Sequence, residues 1–202
     1  MAVRRSAPLA PGASPPYIAV ADRTRRERPG PLSQGSRQPS PAQPMVLAMP
    51  RLDFLTPEAV APALRAGGKK QVLQEISARA ARLTGLDERE VFETLLQRER
   101  LGSTGIGDGV AIPHGKIPRL GRLFGLVARL DKPIDFEALD SQPVEIVFLL
   151  LAPEGAGADH LKALARVARV LREPGIRDRL RAARDASAIY AVLNETSEPR
   201  AA

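Results

Sequence analysis

The chain contains only two histidines, and the sequence around each of them favours a chemical role. His114 stands between Pro113 and Gly115, directly after a short apolar run that predicts a strand. A proline of fixed φ on one side and a glycine on the other leave the ring open to close approach by a large partner. His160 falls in the first turn of a predicted helix, where backbone amides and the helix dipole favour a bound anion.

Three common histidine chemistries fit the sequence poorly. A metal site would need a third ligand, for which Asp108 and Asp159 are candidates, but no paired-histidine metal motif occurs and we expect no metal. A serine hydrolase would need a G-x-S-x-G elbow, which the chain lacks. Gly105, Gly107 and Gly109 do not have the G-x-G-x-x-G spacing of a dinucleotide loop, and they lead into a strand. The absence of cysteine excludes thiolate catalysis and cysteine-ligated zinc.

Phosphoryl transfer is the chemistry that the pair suits best. The ordinary pKa of imidazole, near 6.5, leaves it neutral and nucleophilic at neutral pH, so it attacks a phosphoryl donor without a separate base. Amides of the glycine-rich run, His160 and a nearby arginine would supply positioning and charge. The plainer alternatives are a loop histidine at 114 and a solvated helix-start histidine at 160, whose loss would leave no large cavity.

Apolar periodicity places the histidines on an α/β scaffold. Helical spacing predicts five helices, over 69–84, 87–98, 158–172, 176–184 and 186–194. Apolar runs predict three strands, over 110–112, 122–130 and 144–152. The last strand is nearly all apolar, so we expect it to be central and covered on both faces. The expected fold class is α/β, a mixed β-sheet flanked by helices.

Local signals add finer expectations. Thr56-Pro57-Glu58 has the pattern of an N-cap followed by proline in the first helical turn. Asp87, with Glu90 three residues later, resembles a capping box. The run 102–109 predicts an irregular loop. In the helix over 158–172 the expected buried residues are Leu161, Leu164, Val167, Ala168 and Leu171.

Composition separates a folded domain from a tail. Residues 1–49 hold nine of the nineteen prolines and a net charge of +5, with no apolar period, so we expect disorder. Met45 and Met49 are candidate natural first residues for a chain in which that segment lies upstream of the start. The remaining residues carry a net charge of only +2, which argues against nucleic acid as a partner. No apolar run is long enough to enter a membrane, and the lack of cysteine fits a cytoplasmic protein.

The run R-E-R-L-G-S-T-G-I-G-D-G-V-A-I-P-H-G-K, at 98–116, resembles a known signature. It is similar to enzyme IIA of the mannitol/fructose class of the bacterial phosphotransferase system, and within that class to the nitrogen-regulatory branch. The resemblance extends through D-K-P-I-D-F-x-A-L-D-x-Q-P-V at 131–144 and D-H-L-K-A-L-A at 159–165. The match runs from about Leu52 to Leu193 and says nothing about 1–49; we expect a domain over 50–196 and a disordered tail over 197–202.

The resemblance also implies a function and roles for three residues. His114 would accept a phosphoryl group from a histidine-phosphorylated HPr-type carrier protein, His160 would hydrogen-bond that group, and Arg98 would balance its charge. Glycines 105, 107 and 109 would let the donor approach. The implied output is regulation of nitrogen or carbon status through unknown target proteins, without a bound cofactor. The alternative is a sugar-specific subunit that passes phosphate to a separate permease.

Overall fold

A computed structural model describes residues 52–195, which form one mixed sheet with helices packed against it. The expectations for 1–49 and 197–202 lie outside the described residues. The elements in chain order are β1 (Leu55–Leu64), α1 (Lys69–Thr84), α2 (Glu88–Arg100), β2 (Gly105–Gly107), β3 (Val110–Ala111), β4 (His114–Ile117), β5 (Phe124–Ile134), β6 (Val144–Pro153), α3 (Gly157–Arg172), α4 (Pro174–Ala182) and α5 (Ala186–Asn194).

The strand order is β1-β5-β6-β3-β2, and β4 follows β3 along the same edge of β6. β5 runs antiparallel to β6, whereas β3 and β4 run parallel to it. The predicted mixed sheet is therefore confirmed. β6 is central and its residues from Ile146 to Ala152 are buried on both faces, as its apolar run predicts.

Local residues explain where α1 ends and where α2 begins. Gly85 ends α1 with a φ of 72°, a left-handed conformation that suits glycine, and its N–H bonds the carbonyl of Ala81. The side chain of Asp87 caps α2 by accepting from the N–H of Glu90, so the predicted cap is confirmed. α2 continues to Arg100, two residues beyond the predicted end, and this places Arg98 in its last turn.

Two local predictions are wrong. Thr56-Pro57-Glu58 starts no helix but lies within β1, an edge strand with β5 as its neighbour. The pairing register shifts between Leu55 and Val60, around Pro57, so proline's missing N–H is tolerated there. The run 102–109 is not wholly irregular, because its residues from Gly105 form β2 and pair with β3.

The inward face of α3 differs from the prediction. His160 and Ala163 are buried, whereas Leu161 is 68% exposed. Val167 and Leu171 are buried as expected, and Leu164 and Ala168 are partly buried against the core. The helix is therefore rotated so that the histidine takes a position assigned to leucine. No helix among the described residues is long and apolar enough to span a bilayer.

Candidate functional site

His114 is the first residue of β4 and pairs with Leu150 of β6. The predicted short strand does end before Pro113, as β3, but the residues that were expected to end it are not all loop, because His114 and Gly115 begin β4. The Pro113 carbonyl between the two strands accepts from the N–H of Leu150 in β6 at 3.0 Å. Nδ1 of His114 lies 2.8 Å from the carbonyl oxygen of Ile112. A carbonyl only accepts, so Nδ1 carries the proton and Nε2 carries the lone pair.

Arg98 lies against that lone pair. Its Nε donates to Nε2 of His114 at 2.9 Å, while its Nη1 donates to the carbonyl oxygen of Gly102 at 2.9 Å. The second bond ties the guanidinium to the chain that leaves α2, which fixes its plane. The structure thus brings together two of the three residues that the sequence singled out.

Gly115 has a different role from the one proposed for it. A Cβ built on Gly115 would lie 2.5 Å from Cγ2 of Thr94, so the glycine allows α2 to approach β4 closely. Gly115 itself is buried. The close approach that glycine permits is therefore made by the protein's own helix, and it is this contact that brings Arg98 within reach of the histidine.

His160 completes the pair. Its ring centroid lies 5.7 Å from that of His114, with the ring planes at 71°. The side chain is only 7% exposed, so the expectation of a solvated histidine at an exposed edge is wrong. Within residues 52–195, Nε2 of His160 is buried and has no hydrogen-bond partner. Such orphaned polar atoms are rare in folded proteins and are found at functional sites.

The surroundings keep both rings neutral. Burial lowers the pKa of His114 below its ordinary value; the Ile112 carbonyl opposes this, and the positive charge of Arg98 reinforces it. Burial also lowers the pKa of His160, and repulsion from the protonated form of His114 and from Lys116 adds to the effect. At neutral pH, Nε2 of His114 therefore keeps the lone pair that a nucleophile needs, which a protonated ring would lack.

A cavity of about 570 Å³ opens beside the two rings. Its charged lining residues are all cationic and comprise Arg98, Arg100 and Lys116. Neither Arg100 nor Lys116 forms an ion pair with any residue in 52–195. Leu101, 85% exposed, also lines this cavity. The site is thus a shallow opening with positive charge and an exposed apolar side chain around a neutral imidazole.

Comparison with known proteins shows the family of the chain. Residues 53–196 match the family described as phosphoenolpyruvate-dependent sugar phosphotransferase system, EIIA 2. The chain belongs to this family. A nitrogen regulatory protein of Bradyrhizobium diazoefficiens is 67% identical over 145 residues, which cover 72% of this chain and 95% of the relative.

A structural relative agrees with the sequence relative. The crystal structure of nitrogen regulatory protein IIA-Ntr from Neisseria meningitidis superposes with a TM-score of 0.67 at 35% identity, covering 70% of this chain and 97% of that one. A fructose-specific EIIABC component of Bacillus subtilis is 33% identical over 144 residues, 71% of this chain but only 23% of that protein.

Other expectations about this EIIA domain are corrected by the geometry. Glycines 105, 107 and 109 do not line the cavity. A Cβ on Gly105 would lie 2.8 Å from Cβ of Ala138, so this glycine serves internal packing and leaves no room for a donor. The two candidate third metal ligands are also engaged elsewhere: Asp108 contacts Arg177 at 3.4 Å, and Asp159 contacts Lys162 at 3.5 Å.

One part of the site was missed by sequence reasoning. Glu99 is only 8% exposed and accepts from both the N–H and the hydroxyl of Thr104, at 3.0 and 2.6 Å. Lys69, at the start of α1, pairs with the same carboxylate at 3.2 Å. The available signal was a charged residue directly after Arg98 on a helix that packs on the sheet. The sequence alone does not show that the side chain of Glu99 points into the protein.

Proposed function

We propose that Nε2 of His114 accepts a phosphoryl group from a histidine-phosphorylated HPr-type carrier, and that the resulting phosphorylation state is a regulatory signal. One observation carries the proposal. The lone pair of a neutral, half-buried imidazole faces Arg98 at 2.9 Å, with an orphaned histidine nitrogen in the neighbouring ring. An ordinary loop histidine has neither feature.

The transfer itself follows from this geometry. Nε2 attacks phosphorus in line, the new N–P bond forms as the carrier's N–P bond breaks, and the electron pair returns to the carrier's nitrogen. Arg98 releases Nε2 and pairs with the phosphoryl oxygens. His160 donates a hydrogen bond to the same group, which satisfies its buried nitrogen. The proton stays on Nδ1 of His114, where it is hydrogen-bonded to the Ile112 carbonyl oxygen.

The surface around the cavity suggests which face the carrier contacts. Leu101 is exposed on the rim, and Arg100 and Lys116 add two positive charges that have no ion-pair partner in the described part of the chain. A carrier that presents an apolar contact ringed by carboxylates around its own histidine fits this face. We place the reaction in the cytoplasm, because a relay that starts from phosphoenolpyruvate draws on a cytoplasmic metabolite.

The regulatory role is supported by the relatives. The Bradyrhizobium and Neisseria proteins, both matched over nearly their whole length, are named nitrogen regulatory proteins. The same names support an output that concerns nitrogen status, and we propose that this output, or one that concerns carbon status, acts through separate target proteins. A sugar-specific subunit that donates to a separate permease is the second candidate, supported by the likeness to the fructose-specific component.

The test is phosphorylation by phosphoenolpyruvate, enzyme I and the carrier, followed by intact mass. We expect the mass to rise by one phosphoryl group, and the label to be acid-labile and alkali-stable. His114→Ala should abolish it, while His160→Gln should keep it at a reduced rate. Nitrogen NMR of the product should place phosphorus on Nε2. Unchanged uptake by His114→Ala would refute the assignment. Subsequent transfer to a permease domain would favour the second candidate.

A further inference from the structure

A closed circuit of hydrogen bonds connects Arg98 and His114 through residues that lie outside the cavity. The Glu99 carboxylate accepts from the N–H and hydroxyl of Thr104, whose carbonyl accepts from the N–H of Ile112 at 2.9 Å. The Ile112 carbonyl then accepts from Nδ1 of His114, and Nε2 of that ring accepts from Arg98. Arg98 precedes Glu99 in the chain, so the circuit closes on the residue pair from which it began.

The circuit is shielded from water at its base. Glu99 is 8%, Thr104 4% and Ile112 3% exposed. Buried hydrogen bonds of this kind do not exchange readily with water, so they hold their geometry. Lys69 neutralises the carboxylate at 3.2 Å and is itself held by Glu137 at 2.7 Å. Glu99 is therefore held by Lys69 and Thr104 inside the protein, and it does not line the cavity.

We propose that Glu99 and Thr104 are positioning residues that select the Nδ1–H tautomer of His114 and so place its lone pair on Nε2. The proposal rests on His114 being the phosphoryl acceptor. Thr104 donates two hydrogen bonds to one carboxylate oxygen of Glu99, which fixes the segment between α2 and β3. The Thr104 carbonyl in that segment accepts from the N–H of Ile112, whose own carbonyl accepts the hydrogen bond from Nδ1 of His114.

The alternative tautomer shows what the circuit prevents. With the proton on Nε2, that nitrogen would face the N–H of Arg98, donor against donor, and it could not attack phosphorus. The Ile112 carbonyl would at the same time lose its partner. One turn of α2 therefore determines the hydrogen bonds of both ring nitrogens. Arg98 bonds Nε2 directly, and Glu99 acts on Nδ1 through Thr104 and the Ile112 peptide.

The test removes the hydroxyl of Thr104 and compares the effect with removal of the hydroxyl of the neighbouring Ser103. Thr104→Val keeps the shape of the side chain but cannot donate to Glu99, whereas Thr104→Ser keeps the hydroxyl. Ser103→Ala is the matched control, since Ser103 lies in the same segment but bonds the Phe136 carbonyl at 2.8 Å, outside the circuit. Nitrogen NMR of the His114 ring reports the tautomer directly, and transfer from the phosphorylated carrier reports the rate.

We expect Thr104→Val to show a mixture of tautomers and to transfer about 10- to 100-fold more slowly, the range seen when outer-shell partners that orient metal-binding histidines are removed. Thr104→Ser and Ser103→Ala should keep a single Nδ1–H tautomer and a rate near wild type. A wild-type tautomer and rate in Thr104→Val would overturn the proposal. If Thr104→Val and Ser103→Ala both transferred more slowly while the His114 tautomer stayed unchanged, the proposal would also be overturned. That result would indicate that the segment has only a general structural role.

Two further measures keep the outcome decisive. If Thr104→Val does not fold, Glu99→Gln replaces it: the mixture of tautomers is expected there as well, and its absence would contradict the proposal. The NMR measurement needs no phosphoryl donor. A wild-type protein that takes up no phosphate would refute the proposed function, whereas the tautomer comparison still decides whether the circuit sets the ring.

Discussion

Replacing His160 with leucine should make the domain more stable and less active at the same time. The imidazole is 7% exposed and its Nε2 has no hydrogen-bond partner among the described residues. Burying a polar group without a partner costs about 1–3 kcal/mol. Leucine fills a similar space without a polar atom. We therefore expect the free energy of unfolding of His160→Leu to rise by about 1 kcal/mol, since its shape matches the cavity imperfectly.

The same substitution removes the hydrogen-bond donor proposed for the phosphoryl group. Loss of one preorganised donor to developing charge typically lowers the rate by about 10²–10³. Arg98 and the other cavity cations remain, so the lower end is expected. Partial recovery is expected in His160→Gln, whose amide still presents an N–H group. The two effects have opposite signs, and a packing defect alone would lower both stability and rate.

Urea denaturation and rapid-quench transfer from the phosphorylated carrier measure the two effects. A gain of 1 kcal/mol corresponds to a rise in melting temperature of roughly 2–4 °C for a domain near 150 residues. A His160→Leu variant that transfers within about twofold of wild type would show that the imidazole makes no contact in the transition state. A loss of several kcal/mol in stability would show that Nε2 is satisfied in solution.

Three further predictions concern packing, pH and the N-terminal segment. Gly115→Ala should destabilise the domain by about 1–3 kcal/mol in urea denaturation, because its Cβ would lie 2.5 Å from Thr94; adding Thr94→Ser should restore part of the loss, and no rescue would contradict the contact. The pKa of both His114 and His160 is lowered on folding, so the unfolded chain binds more protons below about pH 6.5 and the free energy of unfolding should fall as pH drops through that value. The variant His114→Gln/His160→Gln should show a shallower fall; an equal slope would argue against lowered values. Removing residues 1–49 should leave the melting temperature and phosphorylation near wild type, and a fall of many degrees would show that the segment docks on the domain.

Those parts of the fold that depend on apolar periodicity were predictable from the sequence. The helix over 69–84 and the central strand that became β6 follow from spacing and run length alone. β1 was not predictable in this way, because Pro57 in an edge strand has the same local pattern as a helix start. Only pairing with β5, a contact distant in sequence, decides between the two. Which face of α3 is buried likewise depends on the residues against which its first turn packs.

For the site, residue types were predictable and their environments were not. His114 and His160 were singled out from composition and local sequence, Arg98 from the family resemblance, and the structure brings the three together. Burial of His160 could not be inferred, since a histidine in a first helical turn is equally compatible with solvent. The inward turn of Glu99 depends on the close packing of α2 on β4, which Gly115 allows. That packing is a tertiary property, and no local pattern reports it.

In the proposed function, phosphorylation of His114 changes the net charge of the protein face around the cavity. Among residues 52–195, the cavity lining has three cationic side chains, no carboxylate, and two histidines whose lowered pKa keeps them neutral at physiological pH. A phosphoryl group adds about two negative charges, so most of the local positive charge is cancelled by a single bond. A target that binds this face through acidic groups would then be released, and the release would be sensitive to salt because the contacts are exposed. No strand or helix has to move for this. The fixed imidazole therefore suits a regulator whose two states differ in electrostatic field and share one fold.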